Sequence, residues 1–230
     1  MDTKTFFEDS GNESIAEKGL RRIRSDIIRN DLAPGSRLRL ERLRETYGTS
    51  VTTLREILSR LVVEGFVEAQ GNRGFSVVGV SEADLRDICE MRLLLECNAL
   101  RRSIAAGTLA WEAHVVASHH KLRTIETQLI AGDRDRSLVS QWVQYDWDFH
   151  HATVMACDMP VLKVTHSNMF DRYLRYHLLA LDFRGRPAAQ EHERLRDLVV
   201  SRQTDAAIDL LNAHVHAGME HILSTGKIPV

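Results

Sequence analysis

The chain has 230 residues, of which 43% are hydrophobic and 27% are charged, enough apolar material for one large domain or two small ones. No apolar run approaches the roughly 18 residues that a membrane-spanning helix needs, and the polar, acidic start of the chain excludes a secretory signal. Three cysteines without the spacing of metal ligands indicate reduced thiols, so we expect a cytoplasmic protein.

The net charge of −2 is unevenly distributed along the chain. From Lys18 to Arg60 there are 11 Lys and Arg against 5 Asp and Glu, a net charge of +6, so the remainder of the chain carries −8. A basic end favours binding to nucleic acid, while the acidic remainder favours a separate task.

Helical patterns dominate the first part of the chain after residues 1–13, which we expect to be disordered. The spacing of apolar residues predicts three helices, at about residues 14–30, 40–47 and 50–64. Two strand-like runs follow at residues 66–69 and 75–78, and the glycine-containing stretch between them predicts a β-hairpin. Three helices and a hairpin predict a winged helix-turn-helix over residues 14–79.

The predicted helix that begins at Ser50 carries the chemistry of this region. Its apolar face is formed by Leu54, Ile57, Leu58, Leu61 and Val62. The other face offers small polar groups and Arg55, which suits the DNA major groove, where arginine binds guanine O6 and N7; taken alone, an ordinary amphipathic surface helix is the alternative. With the basic stretch around it, we expect Arg55 to contact bases and the other arginines mainly phosphates. The expected DNA contacts are Arg37, Arg39, Arg42, Ser50, Thr52, Thr53, Arg55 and Arg73.

Five short motifs follow one another in this region. They are Leu32-Ala33-Pro34-Gly35-Ser36-Arg37-Leu38, Thr52-Thr53-Leu54-Arg55-Glu56, Leu61, Glu64-Gly65-Phe66-Val67 and Asn72-Arg73-Gly74. In this order and spacing they resemble the DNA-binding domain of the GntR family of bacterial transcription regulators. The sequence departs from the family at Val51, where a DNA-contacting arginine is common, and at Thr53, where many members have proline. The operator sequence of relatives therefore does not carry over.

From Ser81 onward the pattern is helical throughout. Six helices are predicted, at about residues 82–106, 111–131, 135–157, 160–183, 187–202 and 204–224. About 150 residues in six helices predict an antiparallel bundle. The expected fold is therefore mainly α, with an N-terminal winged helix-turn-helix and a C-terminal all-α bundle. We expect residues 80–230 to form an effector-binding and dimerisation domain.

Four residues of the predicted bundle form a possible metal site. Asp146 and His150 are four apart on one helix, which places both side chains on the same face, while His192 and His214 lie on the last two helices. Three imidazoles and a carboxylate suit Zn²⁺, Ni²⁺ or a similar divalent ion. The chain has 11 histidines, and an Asp and a His four apart form a surface pair more often than half of a metal site, so the spacing alone leaves both interpretations open.

The sequence around these residues favours the metal site. The stretches are Asp84-Leu85, Met91-Arg92-Leu93-Leu94-Leu95-Glu96, Asp146-Trp147-Asp148-Phe149-His150, Gln190-Glu191-His192 and Asn212-Ala213-His214. They resemble the ligand-binding FCD domain of the FadR subfamily of GntR regulators, and six helices fit its shorter, VanR-like variety. The resemblance implies that Asp146, His150, His192 and His214 bind a metal inside the bundle.

Arg92 is the candidate effector-binding residue. It lies in apolar sequence, so we expect it to be partly buried with an anionic partner. That partner is either Glu96, four residues on, or a ligand carboxylate. The resemblance favours the ligand, because relatives with this arginine bind small organic acids. A divalent metal with one Asp and three neutral His keeps a positive charge, which also favours an anionic guest. His177, His216 and His221 are weaker candidates for the pocket wall.

These features favour a metabolite-responsive transcription regulator, a repressor that binds double-stranded operator DNA as a homodimer formed through the bundle. A small metallohydrolase is the alternative, since an Asp/His cluster can leave a coordination position open for water. A hydrolase has no use for an N-terminal winged helix, however, and no general base has a motif of its own. A structural DNA-bending protein would not explain the acidic, histidine-bearing bundle. We therefore expect no enzymatic activity and no membrane association.

Overall fold

The structure of the chain is a computed structural model. It describes residues 14–71, 74–132, 135–180 and 183–229. The predicted disorder of residues 1–13 and the position of Arg73 lie outside the described residues. The chain divides into two compact units between Ser81 and Glu82.

The first unit contains three helices and a small sheet. Its elements are α1 (Ile15–Ile28), β1 (Arg37–Leu38), α2 (Leu40–Tyr47), α3 (Val51–Val63), β2 (Val67–Ala69) and β3 (Phe75–Val77). The strands pair antiparallel in the order β1-β3-β2, with Leu38 opposite Phe75 and Val67 opposite Val77. The predicted winged helix-turn-helix is confirmed. Strand β1 was not predicted, because two residues are too few to show an alternating pattern.

Local capping explains where the helices of this unit begin and end. Ser14 and Glu17 form the predicted capping box of α1, and the Ser50 hydroxyl accepts a hydrogen bond from the Thr53 backbone N–H at 3.1 Å at the start of α3. Each contact satisfies an N–H group that the helix itself leaves without a partner. Between α2 and α3, Gly48 has a φ of +64°, a left-handed conformation that glycine adopts without steric cost.

The apolar faces of the three helices and the sheet meet in one core. Its buried side chains include Ile23, Ile27, Leu43, Leu54, Ile57, Leu58, Leu61, Phe66 and Val77. Four of the five residues predicted for the apolar face of α3 are therefore buried, Val62 being half-buried, and each fully buried aliphatic side chain contributes about 1.5–3 kcal/mol to stability. Burial of this face leaves the opposite side of α3, with Arg55, exposed to solvent.

The second unit consists of six helices, as predicted. They are α4 (Glu82–Ala106), α5 (Leu109–Ile130), α6 (Arg136–Val154), α7 (Pro160–Ala180), α8 (Arg186–Val200) and α9 (Thr204–Ser224). Ion pairs give their direction: Arg86 near the start of α4 contacts Glu220 of α9 at 2.9 Å, and Arg101 near its end contacts Asp205 at 3.1 Å. These helices therefore run antiparallel, which agrees with the predicted bundle. None of the helices in the described ranges is long and apolar enough to cross a membrane.

Candidate functional site

The first unit presents the predicted DNA-contacting residues on its surface. Arg37, Arg39, Arg42, Ser50, Thr52 and Arg55 are exposed, and Thr53 is partly exposed. Arg55 projects from the outer face of α3, whereas the Ser50 hydroxyl is engaged in capping the same helix. An exposed helix with arginines on the neighbouring elements has the form of a helix that can enter a major groove.

The second unit brings Asp146, His150, His192 and His214 together in its interior, and we call these four residues the Asp–His cluster. One ligand atom from each residue lies within 4.8 Å of the others. Asp146 Oδ1 is 3.2 Å from His192 Nε2 and 4.0 Å from His150 Nε2. Helices α6, α8 and α9 contribute these residues, so side chains that are distant in sequence become neighbours.

Each histidine of the Asp–His cluster contacts a glutamate through Nδ1. The Nδ1–oxygen distances are 2.7 Å for His150 to Glu96, His192 to Glu126 and His214 to Glu191. An ionised carboxylate can only accept hydrogen bonds, so Nδ1–H is the donor in each pair and Nε2 is left for another partner. The Nε2 atom of His150 is buried and has no hydrogen-bond partner in the part of the chain that the structure describes.

Arg92 is fully buried and contacts Glu96. Its Nε donates to Glu96 Oε2 at 2.6 Å, and its guanidinium lies over the rings of Phe170 and Tyr173 at 4.1 and 4.6 Å. Burial raises the pKa of Glu96, but the charge of Arg92 and the hydrogen bond from His150 outweigh it and hold that pKa well below its usual range. The internal pair named as one alternative for Arg92 is therefore present.

A narrow cavity adjoins the Asp–His cluster. It is lined by Arg92, Trp142, Asp146, Tyr173, His177, Arg184, Ala188, His192, His214 and Gly218. Its volume of about 20 Å³ is enough for about one water molecule. Of the three weaker wall candidates, His177 lines this cavity, whereas His221 lies outside its lining and His216 is an exposed residue that contacts Glu90 at 3.2 Å.

Arg184 lies between α7 and α8 and forms part of the cavity wall. Its Nη2 donates to Glu191 at 2.5 Å and lies 3.2 Å from His214 Nδ1. Partial burial raises the pKa of Glu191, but hydrogen bonds from His214 and Arg184 outweigh it and lower that pKa to about 2. Glu191 is therefore an ionised carboxylate that accepts hydrogen bonds from both His214 and Arg184.

The histidines of the Asp–His cluster differ in charge. Burial lowers the pKa of His214 to about 3 and also lowers the pKa of His150, so both rings are neutral at pH 7. Burial works against the charge of His192 too, but the carboxylates of Asp146 and Glu126 on its two nitrogens raise its pKa to about 9. The same contacts hold the pKa of Asp146 well below its usual range, although burial alone would raise it. A metal ion bound by the Asp–His cluster would take the place of one of the two ring protons of His192.

Sequence reasoning missed Glu126 and Arg184 and gave no role to Glu191. The signal for Glu126 was a charged residue among core positions. Glu126 follows Ile125 and precedes Leu129 by three residues, and all three lie on the buried face of α5. Glu191 directly precedes His192 in the sequence, yet its carboxylate contacts His214 on the next helix. No local pattern marks Arg184, because it lies outside the helices.

A winged helix-turn-helix followed by an all-helical bundle with buried ligating side chains defines a class of DNA-binding transcription regulators. Residues 16–77 match the family described as "Bacterial regulatory proteins, gntR family", and residues 87–217 match the "FCD domain". The chain therefore belongs to the GntR family of transcription regulators and carries an FCD domain. Members of this family bind operator DNA and typically form dimers.

Relatives along nearly the whole chain agree with this assignment. The chain is 36% identical over 219 residues to the "Uncharacterized HTH-type transcriptional regulator BphR" of Paraburkholderia xenovorans, covering 94% of this chain and 88% of the relative. It is 31% identical over 203 residues to the "HTH-type transcriptional repressor GlaR" of Escherichia coli, covering 86% and 90%. The solved structure of E. coli McbR/YncC has the same fold, with a TM-score of 0.78, 19% identity and coverage of 93% and 99%. These relatives are transcription regulators, and the metallohydrolase alternative has no support.

The wall of the cavity gives a test of its packing. A Cβ atom added to Gly218 would lie 2.7 Å from the Tyr173 hydroxyl, which is itself hydrogen-bonded to His177 at 2.8 Å. We expect Gly218→Ala to destabilise the protein by about 1–3 kcal/mol through overcrowding. In a Tyr173→Phe background the same change should be neutral or stabilising, since alanine favours the helix by about 1 kcal/mol. Thermal unfolding of the four proteins measures this, and an equal effect in both backgrounds would contradict the close contact.

Proposed function

We propose that the protein is a metabolite-responsive repressor, whose winged helix binds operator DNA and whose bundle binds one divalent metal and a small carboxylate effector. One observation carries this proposal: the Asp–His cluster is buried in a bundle that is joined to a DNA-binding domain. A buried group of four ligating side chains that shares its chain with a DNA-binding domain has more use in sensing than in turnover. The name of the relative GlaR supports repression, and a regulator of transcription acts in the cytoplasm, where bacterial DNA is.

The donor set of the Asp–His cluster fits a divalent ion. Imidazole nitrogens and a carboxylate oxygen are the ligands that Zn²⁺ and Ni²⁺ share. Ligand atoms about 2.1 Å from one ion lie at most about 4.2 Å apart, so the spread of 4.8 Å would contract slightly on binding. The orphaned Nε2 of His150 supports the fit, since a buried polar atom without a partner costs about 1–3 kcal/mol.

The effector is proposed to be a small carboxylate that meets the metal and the arginines of the cavity. A bound ion supplies positive charge and open positions for oxygen ligands. Arg92 and Arg184 both line the cavity, and a guanidinium binds a carboxylate as a fork. A volume of about 20 Å³ is too small for an organic acid, so binding requires a wall to move. Arg184 is the wall residue best placed to do so, because it stands between helices rather than within one.

The homodimer is proposed to form through the bundle. Helices α4 and α7 lie side by side, with Glu96 near His166 and Asp84 near Arg172. Both helices expose large apolar side chains. These are Met91 and Leu94 on α4, and Val161 and Val164 on α7. Neighbouring helices with exposed apolar groups are suited to a self-complementary contact, and two-fold symmetry would match a palindromic operator.

Substitutions of two arginines test the DNA surface. We expect Arg55→Ala to cost on the order of 1–3 kcal/mol on an operator selected by the wild-type protein, and to reduce discrimination against other sequences. Arg42→Ala should instead weaken binding to all DNA about equally and reduce the slope of affinity against salt by about one. Titrations at several salt concentrations measure both effects. Wild-type affinity and discrimination in the Arg55 variant would overturn its role.

Elemental analysis tests the metal and effector roles separately. We expect His192→Ala, purified without a chelator or a histidine tag, to lose the divalent ion and every response of operator binding to a panel of small organic acids. The exposed His216→Ala is the matched control and should keep both. Arg92→Lys should keep the ion and the charge next to Glu96 but lose the response, since lysine lacks the fork. A metal-free wild type that still responds fully would contradict the metal role.

Light scattering tests the dimer surface. Leu94 is 67% exposed on α4, and we expect Leu94→Glu to shift the protein from dimer to monomer at micromolar concentration, because a carboxylate in an apolar contact is costly. Leu109 is 78% exposed at the start of α5, and Leu109→Glu should remain dimeric. Equal masses for Leu94→Glu and the wild type would place the interface elsewhere.

A further inference from the structure

Three glutamates stand behind the Asp–His cluster, one for each histidine. Glu96 on α4 and Glu126 on α5 are fully buried, and the Glu191 side chain on α8 is 26% exposed. Acidic residues are almost never fully buried unless they are paired. Here each carboxylate meets the same ring atom, Nδ1, at the same distance of 2.7 Å.

The short contacts decide which ring nitrogen carries the proton. Arg92 and Arg184 also approach Nδ1 of His150 and His214, at 3.3 and 3.2 Å. One nitrogen cannot accept from a guanidinium and donate to a carboxylate at the same time. The carboxylate contact is shorter by about half an ångström in each case and joins a donor to a charged acceptor, which makes the stronger hydrogen bond. The favoured tautomer of His150 and His214 therefore carries its proton on Nδ1 and leaves the lone pair of Nε2 available to a metal ion.

The charges around the cluster also favour a divalent ion. Four carboxylates belong to it, from Asp146, Glu96, Glu126 and Glu191, and two guanidinium groups, from Arg92 and Arg184, lie beside them. When all three imidazoles are neutral, as metal binding requires, these groups carry a local charge of −2, which is costly without a cation in an interior of low dielectric. One divalent cation would neutralise it.

We propose that Glu96, Glu126 and Glu191 are positioning residues, each of which holds its histidine with Nδ1 protonated and Nε2 directed toward the ion before the ion arrives. This inference rests on the metal site proposed above. Carboxylates behind metal-binding histidines orient the ring and raise its basicity, and their loss typically lowers metal affinity roughly 10- to 100-fold. The three glutamates would therefore set the affinity of the site without touching the metal.

Zinc titration of glutamine variants tests the proposal. Glutamine keeps the shape of glutamate, but it removes the charge and can turn its NH₂ group toward Nδ1, which then becomes an acceptor. We expect Glu126→Gln and Glu191→Gln to bind Zn²⁺ roughly 10- to 100-fold more weakly than the wild type in competition with a chromophoric chelator at fixed pH. Glu193→Gln is the matched control, because Glu193 lies on α8 with a side chain 49% exposed, and it should bind as the wild type does.

The outcomes separate this inference from the proposed function. Variants that fold and bind Zn²⁺ within about twofold of a metal-binding wild type would show that the carboxylates only fill space, while the metal site itself would stand. A wild type that binds neither Zn²⁺ nor Ni²⁺ would overturn both. If the variants do not fold, ¹⁵N NMR of the metal-free wild type tests the inference instead, because it shows which ring nitrogen of each histidine carries the proton. Nδ1–H tautomers at His150 and His214 are expected, and Nε2–H tautomers at both would overturn the inference.

Discussion

The bundle depends on how it accommodates polar groups in its interior. An unsatisfied buried polar group costs about 1–3 kcal/mol, and an unpaired charge costs more. The fold meets this cost with pairs that reach across helices: Glu96 joins α4 to His150 on α6, Glu126 joins α5 to His192 on α8, and Glu191 joins α8 to α9. The polar centre thus ties together five of the six helices.

This arrangement gives the proposed sensing role a physical basis. A ligand or ion at the centre contacts side chains whose partners lie on several helices, so a change there is distributed over the bundle rather than absorbed by one loop. Helix α4 is the first element after the winged helix in the chain, and it carries both Arg92 and Glu96. An effector that favours one arrangement of the bundle by about 1–3 kcal/mol would change operator affinity about 5- to 150-fold.

Local and periodic features were predictable from the sequence. The nine helices of the described residues follow from apolar spacing and from signals such as the Ser14–Glu17 box, and the four members of the Asp–His cluster follow from a spacing and a family resemblance. Contacts between residues far apart in sequence were not predictable: Glu126 and His192 are 66 positions apart. The sequence did not show that three glutamates contact the Asp–His cluster, so it predicted a positively charged metal site. The structure places enough carboxylates around the cluster to balance the charge of a divalent ion. The small cavity could not be predicted from the sequence either, because it depends on how the side chains of Arg184 and Tyr173 pack.

The proposed sensing role depends on a divalent metal that occupies the Asp–His cluster of the regulator. X-ray absorption spectroscopy can detect this metal in protein that is purified without a chelator and shown to bind operator DNA. We expect one ion for each chain, with a coordination shell of nitrogen and oxygen at about 2.0–2.2 Å and the scattering pattern of three imidazoles. A shell that contains sulfur, or operator-binding protein that responds to its effector without any bound metal, would contradict it.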